Sequence, residues 1–259
     1  MKTKFLYHAE AVGASGHITL PFDEVIEIQA SAALPISGGH GTSRSENFKH
    51  RNILSFHEAK AHVVGALSDK EKKHHATLSS VVITGLNVLD VVTCDRMVMR
   101  LTSQHDVGAQ GEAAPEPSFK LHGTHFDNLR IAGHLIDVKL ATGLFNKCDT
   151  WTGLSNSYAN AAERKDLKPL TLLEREDDQL PESKGMLGFT FAQIPDPLPD
   201  GLTRDGHGIK VDHFGTVYIG ELFISRYKRR VQMLHIELGC SVEGCVSLGS
   251  GEGNGLPWP

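Results

Sequence analysis

Fifteen histidines in 259 residues make metal ligation the first chemistry to weigh, because a neutral imidazole is the commonest protein ligand for metals. The densest set is His122-Gly123-Thr124-His125, followed by Asp127 and His134. Three nitrogens and one carboxylate around an open position suit zinc or iron. On a strand, side chains three positions apart point to opposite faces, so His122 and His125 need a bulge at Gly123 to converge. The competing reading is strand-edge histidines in water or bonded to neighbours, since nothing else in the sequence forces the four groups together.

Other candidate chemistries fall away on spacing. His57-Glu58-Ala59-Lys60-Ala61-His62 has histidines five positions apart, whereas HExxH needs them one helical turn apart. On a strand, five positions place the two rings on opposite faces, and Ile53, Phe56 and Val64 suit a strand. His74-His75, beside Lys72 and Lys73, reads as a solvated turn. No GxSxG elbow and no phosphate loop ending in GK[ST] occurs, and Ser37-Gly38-Gly39-His40-Gly41 merely turns the chain. Gly249 to Gly255 carries glycines at the wrong interval for a dinucleotide fingerprint. Cys94 lies in an apolar run and reads as a small core residue. Asp177-Asp178 sits in a charged stretch where solvation is the default. Two tryptophans and four tyrosines are too few for a sugar platform or a single-strand nucleic-acid groove.

The elements that must position any site are strands. Met97, Met99 and Leu101 alternate with Val98 and Arg100, as do Ile136, Val138 and Leu140 with Asp137 and Lys139, and Leu234, Ile236 and Leu238 with His235 and Glu237. Alternation of period two means sheets with one buried face. Strands are predicted near 4–11, 17–20, 24–33 and 52–64, within a long run 76–103 centred on Gly85, near 119–122, 128–132 and 134–141, and over 186–193. A final hairpin pairs 217–224 with 231–238. One helix is predicted: Asp149 or Thr150 caps it, and Trp151, Leu154, Tyr158 and Ala162 recur at helical spacing. The fold class is therefore mostly β, an antiparallel sandwich or flattened barrel with one or two covering helices. A β-solenoid is the alternative, because 82–101 and 120–140 resemble each other. The expected organisation is a single domain over 1–259, with a subdivision near 104–118, a charged excursion over 163–184 and a glycine-rich tail over 249–259.

Composition sets further bounds. A formal charge of −5 gives no basic footprint for nucleic acid. The cluster Arg226, Lys228, Arg229, Arg230 reads as a solvated hairpin tip. Cys94, Cys148, Cys240 and Cys245 are too few for a disulfide scaffold. Cys240 and Cys245 are either reduced thiols or a turn-closing bridge, the latter needing Cα atoms within about 7 Å. No stretch approaches the ~20 apolar residues that span a bilayer, so the expectation is a cytoplasmic chain without a membrane, or a secreted one whose leader has been removed.

Two segments, Gly123-Thr124-His125-Phe126-Asp127-Asn128-Leu129-Arg130-Ile131-Ala132-Gly133 and Gly85-Leu86-Asn87-Val88-Leu89-Asp90-Val91-Val92-Thr93-Cys94-Asp95, resemble stretches of uncharacterised bacterial β-rich proteins, some loosely grouped with the choice-of-anchor families. The resemblance covers about half the chain. It implies a bacterial, β-dominated protein and brings no activity or catalytic residues with it.

Two functions from different classes follow. The first is a non-enzymatic structural or interaction protein that self-associates, since Val81-Val82-Ile83 and Leu222-Phe223-Ile224 carry apolar residues on both parities. Trp258, in Leu256-Pro257-Trp258-Pro259, is its candidate partner-binding residue. The second is a metal-dependent enzyme or small-ligand binder that uses His122, His125, Asp127 and His134, with zinc or iron as the only cofactors expected.

Overall fold

The alternation is realised as long antiparallel strands in a computed structural model that describes residues 4–68, 74–107, 116–172, 182–183, 186–239 and 241–258. The first six are β1 (Lys4–Leu20), β2 (Glu24–Ala33), β3 (Gly39–His50), β4 (Leu54–Ser68), β5 (His74–Val88) and β6 (Val92–Asp106). Five short strands follow: β7 (Ser118–Lys120), β8 (His125–Asp127), β9 (Arg130–Ile131), β10 (His134–Leu135) and β11 (Lys139–Leu140). Helices α1 (Thr142–Lys147), α2 (Trp151–Ala159) and α3 (Ala161–Leu167) lead into a 3-10 turn, Lys168–Leu170. The chain ends in β12 (Glu182–Ser183), β13 (Met186–Thr190), β14 (Ala192–Gln193), β15 (Leu202–Asp205), β16 (Gly208–Val211), β17 (Gly215–Ser225), β18 (Lys228–Leu238) and β19 (Glu243–Trp258).

These strands form a two-layer sandwich. One sheet runs β12-β13-β17-β18-β19-β1-β2, with the β15–β16 hairpin joined to the same edge of β17 as β13. The other runs β10-β9-β6-β5-β4-β3, with β7 and β8 also along β6. Strands β1 and β19 lie over β4, β5 and β6. All named pairings are antiparallel and the sheets do not close into a barrel, so the solenoid alternative is not what the chain adopts. On one side the sheets are latched by side chains: Arg51 donates to both oxygens of Glu24, and Ser45 Oγ donates to Gln29 Oε1 at 2.9 Å.

Along most long strands, the parity that faces the core changes midway. On β4, Leu54 and Phe56 are buried, then Ala59, Ala61 and Val63. On β6 the set switches from Val92 and Cys94 to Met97, Met99 and Leu101. On β17 it switches from Val217 and Ile219 to Leu222 and Ile224. The pairing register is the same on both sides of each switch. Ser55 pairs Asn87 and Glu58 pairs Thr84, so no residue is inserted, unlike a β-bulge. A residue with positive φ marks the switch on several strands, among them Gly85 (+63°), Gly220 (+68°) and Gly249 (+63°). Without a Cβ, glycine takes this conformation at little cost. At Gly85 a Cβ would also collide with the His57 ring.

The switch corrects the expectation for His57 and His62. Five positions apart across the reversal, both rings are exposed rather than split between faces. The glycine-rich segment expected as a tail is instead the second half of β19, hydrogen-bonded between β1 and β18. Its glycines leave room for the opposite sheet, since a Cβ on Gly251 would overlap the end of Met99. Strand β3 replaces what was read as a glycine loop and an unassigned stretch. It is a polar outer strand whose Phe48 stacks on Phe56 at 5.0 Å, so it lacks the apolar alternation that identifies its neighbours.

The predicted helix is α2, with Thr150 Oγ1 accepting from Gly153 N–H at 3.0 Å and Leu154 and Tyr158 buried. Part of the charged excursion is α3 and the 3-10 turn, and residues 173–181 lie outside the described residues. So do 69–73 of the charged turn and 108–115 of the expected subdivision. The hairpin tip is solvated at Arg226, but Arg229 is only 3% exposed. Its guanidinium lies 4.8 Å from the Phe119 ring centroid and donates to the Ser225 carbonyl at 2.8 Å. Burial lowers its pKa to about 9. His75 is not a solvated turn residue: its ring stacks on Phe5 at 4.0 Å, with Tyr7 Oη 2.7 Å from Nδ1.

Candidate functional site

The four residues singled out for metal do not form one site. His125 and Asp127, both on β8, come within 3.6 Å at the surface, and His125 Nδ1 donates to the Gly123 carbonyl at 2.9 Å. Gly123 does take a positive φ, +71°, but His122 stays exposed beside it, and His134 is exposed on β10. Among the described residues, no group of three or more His, Cys, Asp or Glu side chains is placed to hold a metal ion. Trp258 contributes backbone to β19, paired with Lys4, and its side chain lies outside what the structure describes.

Cys94 behaves as expected of a core residue. Its thiol donates to the carbonyls of Arg96 and Asp127, and burial pushes it up to about 12, far from the thiolate that nucleophilic chemistry needs. Cys245 is a free, exposed thiol, and Cys240 lies outside the described residues.

The structure places a cleft where sequence reasoning had not looked, between the helices and the β13 edge of the first sheet. Its volume is about 870 Å³. The helical wall is fixed to the sheet by backbone bonds: Ala141 N–H to Phe191 O at 2.7 Å, Leu172 N–H to Gly188 O at 2.9 Å, and the β11–β14 pair. Phe145 packs edge-on to Phe189 at 5.5 Å, while Leu167 and Leu170 are buried beneath the wall. Asn160 caps α3 by accepting from Ala162 N–H at 3.0 Å, which fixes where the helix that carries Lys165 begins. Lys165 and Lys168 line this wall, and Arg204 and His207 of the β15–β16 hairpin line the other. One Arg204 N–H donates to the Ile194 carbonyl at 3.3 Å. The cleft's hydroxyls are tied to backbone: Thr190 Oγ1 donates to Ile219 O at 3.0 Å and accepts from Ala192 N–H at 3.1 Å, and Thr171 Oγ1 donates to Lys168 O at 2.8 Å.

Behind His207 lies a buried carboxylate between two imidazoles. Glu221 Oε1 is 3.5 Å from His207 Nε2, and Oε2 is 3.5 Å from His235 Nδ1. At that distance these are ion-pair contacts rather than well-formed hydrogen bonds, so His207 Nε2 is buried without a hydrogen-bond partner. Burial pushes the Glu221 carboxyl up, but the two imidazoles outweigh it and hold it at about 2. The same contact raises the His235 pKa. The Tyr218 ring sits near both imidazoles, 4.9 Å from His207 and 5.4 Å from His235, and its hydroxyl donates to Glu237 at 3.3 Å.

None of these residues was read as a site from sequence. One signal was available: Glu221 is a lone acid in the apolar run Val217 to Ile224, and a charge in such a run is rarely buried unpaired.

The architecture is thus an all-antiparallel sandwich with a helical insertion bolted to one sheet edge. The chain belongs to a protein family described as Domain of unknown function (DUF8256), which residues 5–193 match. The match takes in Lys165, Lys168 and Thr190, while Arg204, His207 and strands β17 to β19 follow it. No curated protein and no solved structure matches the chain. Among the described residues, no helix is long and apolar enough to cross a membrane.

Proposed function

We propose that this protein is a non-enzymatic binding protein that takes a small molecule into the cleft between its helical insertion and the sandwich. The observation that carries the reading is the size of the cleft, about 870 Å³, in the range of small-molecule sites. Its walls are held by backbone hydrogen bonds on both sides, so it exists before a ligand arrives. The reading favours binding over catalysis because the hydroxyls of Thr190 and Thr171 are committed to backbone and Cys94 is buried elsewhere in the core. The test is an amide NMR screen of a small-molecule panel holding neutral and charged compounds. Binding shifts the resonances of Ala192, Gln193 and Ile194, and a panel that leaves all three unmoved removes the reading.

A second reading, self-association, is favoured by the outer strand β2 and the turn before it. Leu20, Phe22, Val25 and Ile28 are exposed by 49, 54, 67 and 61%. The strand has neither the lysine nor the proline that commonly guards a sheet edge. Sedimentation velocity at micromolar concentration tests it. The expectation is a dimer that reverts to monomer in Val25→Lys/Ile28→Lys, and a monomeric unmodified chain removes it.

A further inference from the structure

We infer that the ligand of this cleft is a multivalent anion, clamped between Lys165 on the helical wall and Arg204 and His207 on the hairpin. The inference rests on the small-molecule reading above and names the chemistry of what is bound. Among the described residues lining the cleft, Lys165, Arg204 and His207 face one acid, Asp166, and Lys168, which has a contact of its own, adds to the same wall. They arrive from opposite walls, so a bound anion meets positive charge on two sides, the arrangement that lets several charge-assisted hydrogen bonds form at once.

Arg204 brings a planar fork of five N–H groups, of which one donates to Ile194 O, leaving others for a phosphate or carboxylate oxygen. His207 is oriented rather than loose. Its Nε2 lies 3.5 Å from Glu221 Oε1, so the Nδ1 edge of the ring points away from that carboxylate. Glu221 is itself shared with His235, so its negative charge is offset before it can repel an anion in the cleft. Both cleft threonines spend their O–H on a backbone carbonyl, so neither donates to a ligand.

The probe is inorganic pyrophosphate, measured by isothermal titration calorimetry, with glucose as an uncharged comparison in the amide NMR experiment. Pyrophosphate is expected to bind, to weaken as salt is raised, and to lose tenfold or more in affinity in Arg204→Gln and in Lys165→Gln. Lys165 is exposed on α3, so its variant keeps the test independent of folding, and Arg204→Lys recovers little because the fork is lost. Pyrophosphate affinity unchanged in both Gln variants overturns the inference. So does glucose or another neutral compound shifting Gln193 and Ile194 where pyrophosphate does not, an outcome that leaves the small-molecule reading standing. Silence from every compound removes both.

Discussion

His105, on the inner face of β6, is 4% exposed, and its Nε2 has no hydrogen-bond partner among the described residues. It lies directly across the β5–β6 ladder from His75, and the Phe5 ring meets it edge-on at 5.0 Å. Burial, with a smaller contribution from the His75 charge, lowers its pKa from 6.5 to about 4. A group whose folded pKa is depressed stabilises the fold fully above its unfolded pKa, and that stability is lost as pH falls towards the folded value. The window for His105 therefore runs from about pH 6.5 down to about pH 4. At 1.36 kcal/mol per unit, the full loss is about 3 kcal/mol, most of it reached by pH 4.5. His75, also lowered by burial, titrates in the same direction and adds to the effect. The assay is urea unfolding at pH 7.5 and 4.5 for the unmodified chain and for His105→Leu. Groups that do not touch His105 titrate equally in both proteins, so the difference between them reports His105 together with its coupling to His75. Leucine should cost little at pH 7.5 and should gain about 2.5 kcal/mol on the unmodified chain at pH 4.5. A difference that does not change with pH would refute the argument, because it would mean His105 is not held neutral by burial.

Three further outcomes follow from other contacts. Glu221→Gln should lower the His235 pKa towards the ordinary histidine value, read from its ring proton shifts across pH. An unmoved titration would mean that the 3.5 Å contact contributes nothing. Gly251→Ala should destabilise by about 1–3 kcal/mol in urea unfolding, because the new methyl overlaps Met99. Pairing it with Met99→Ala should recover part of the loss, whereas strict additivity would show that the two strands are not in contact. Under native conditions a thiol-labelling reagent followed by peptide mapping should modify Cys245 within minutes and Cys94 only after unfolding; rapid native labelling of Cys94 would contradict its burial and its raised pKa.

Much of the fold was legible because apolar alternation is imposed by burial of one sheet face. The hairpin of Val217–Ile224 with Val231–Leu238 lies within β17 and β18, and Thr150 caps α2 as its spacing implied. Strand β3 was not legible, since its polar residues face water and its pairing comes from β4 rather than from its own pattern. Glycines 249 to 255 suggested a glycine-rich tail, yet small residues are what a central strand needs when Met97 and Met99 of the facing sheet press against it. Of the short strands β7 to β11, only β8 lies outside the runs predicted near 119–122, 128–132 and 134–141, which overlap the other four; each is cut short because it pairs over only two or three residues.

The cleft-side cluster was hidden by a deeper cause, which is also what builds it. Period-two logic assigns residues three apart to opposite faces, so Tyr218 and Glu221 should be split by β17, as should Gln232 and His235 by β18. The parity reversal at Gly220 and Met233 cancels one step, and the core set passes from Ile219 to Leu222 and from Met233 to Leu234. Tyr218, Glu221 and His235 then share the outward face, where His207 of the adjoining hairpin reaches Glu221. The apolar residues on both parities of β18 have the same origin: Val231 and Met233 before the reversal, Leu234 and Ile236 after it, all facing one core. There, at least, mixed parity is evidence of a reversed pleat within one sheet. The triplets Val81-Val82-Ile83 and Leu222-Phe223-Ile224 span no such reversal, and their middle residues Val82 and Phe223 are half-buried, so self-association is carried by the far more exposed side chains of β2 and its turn.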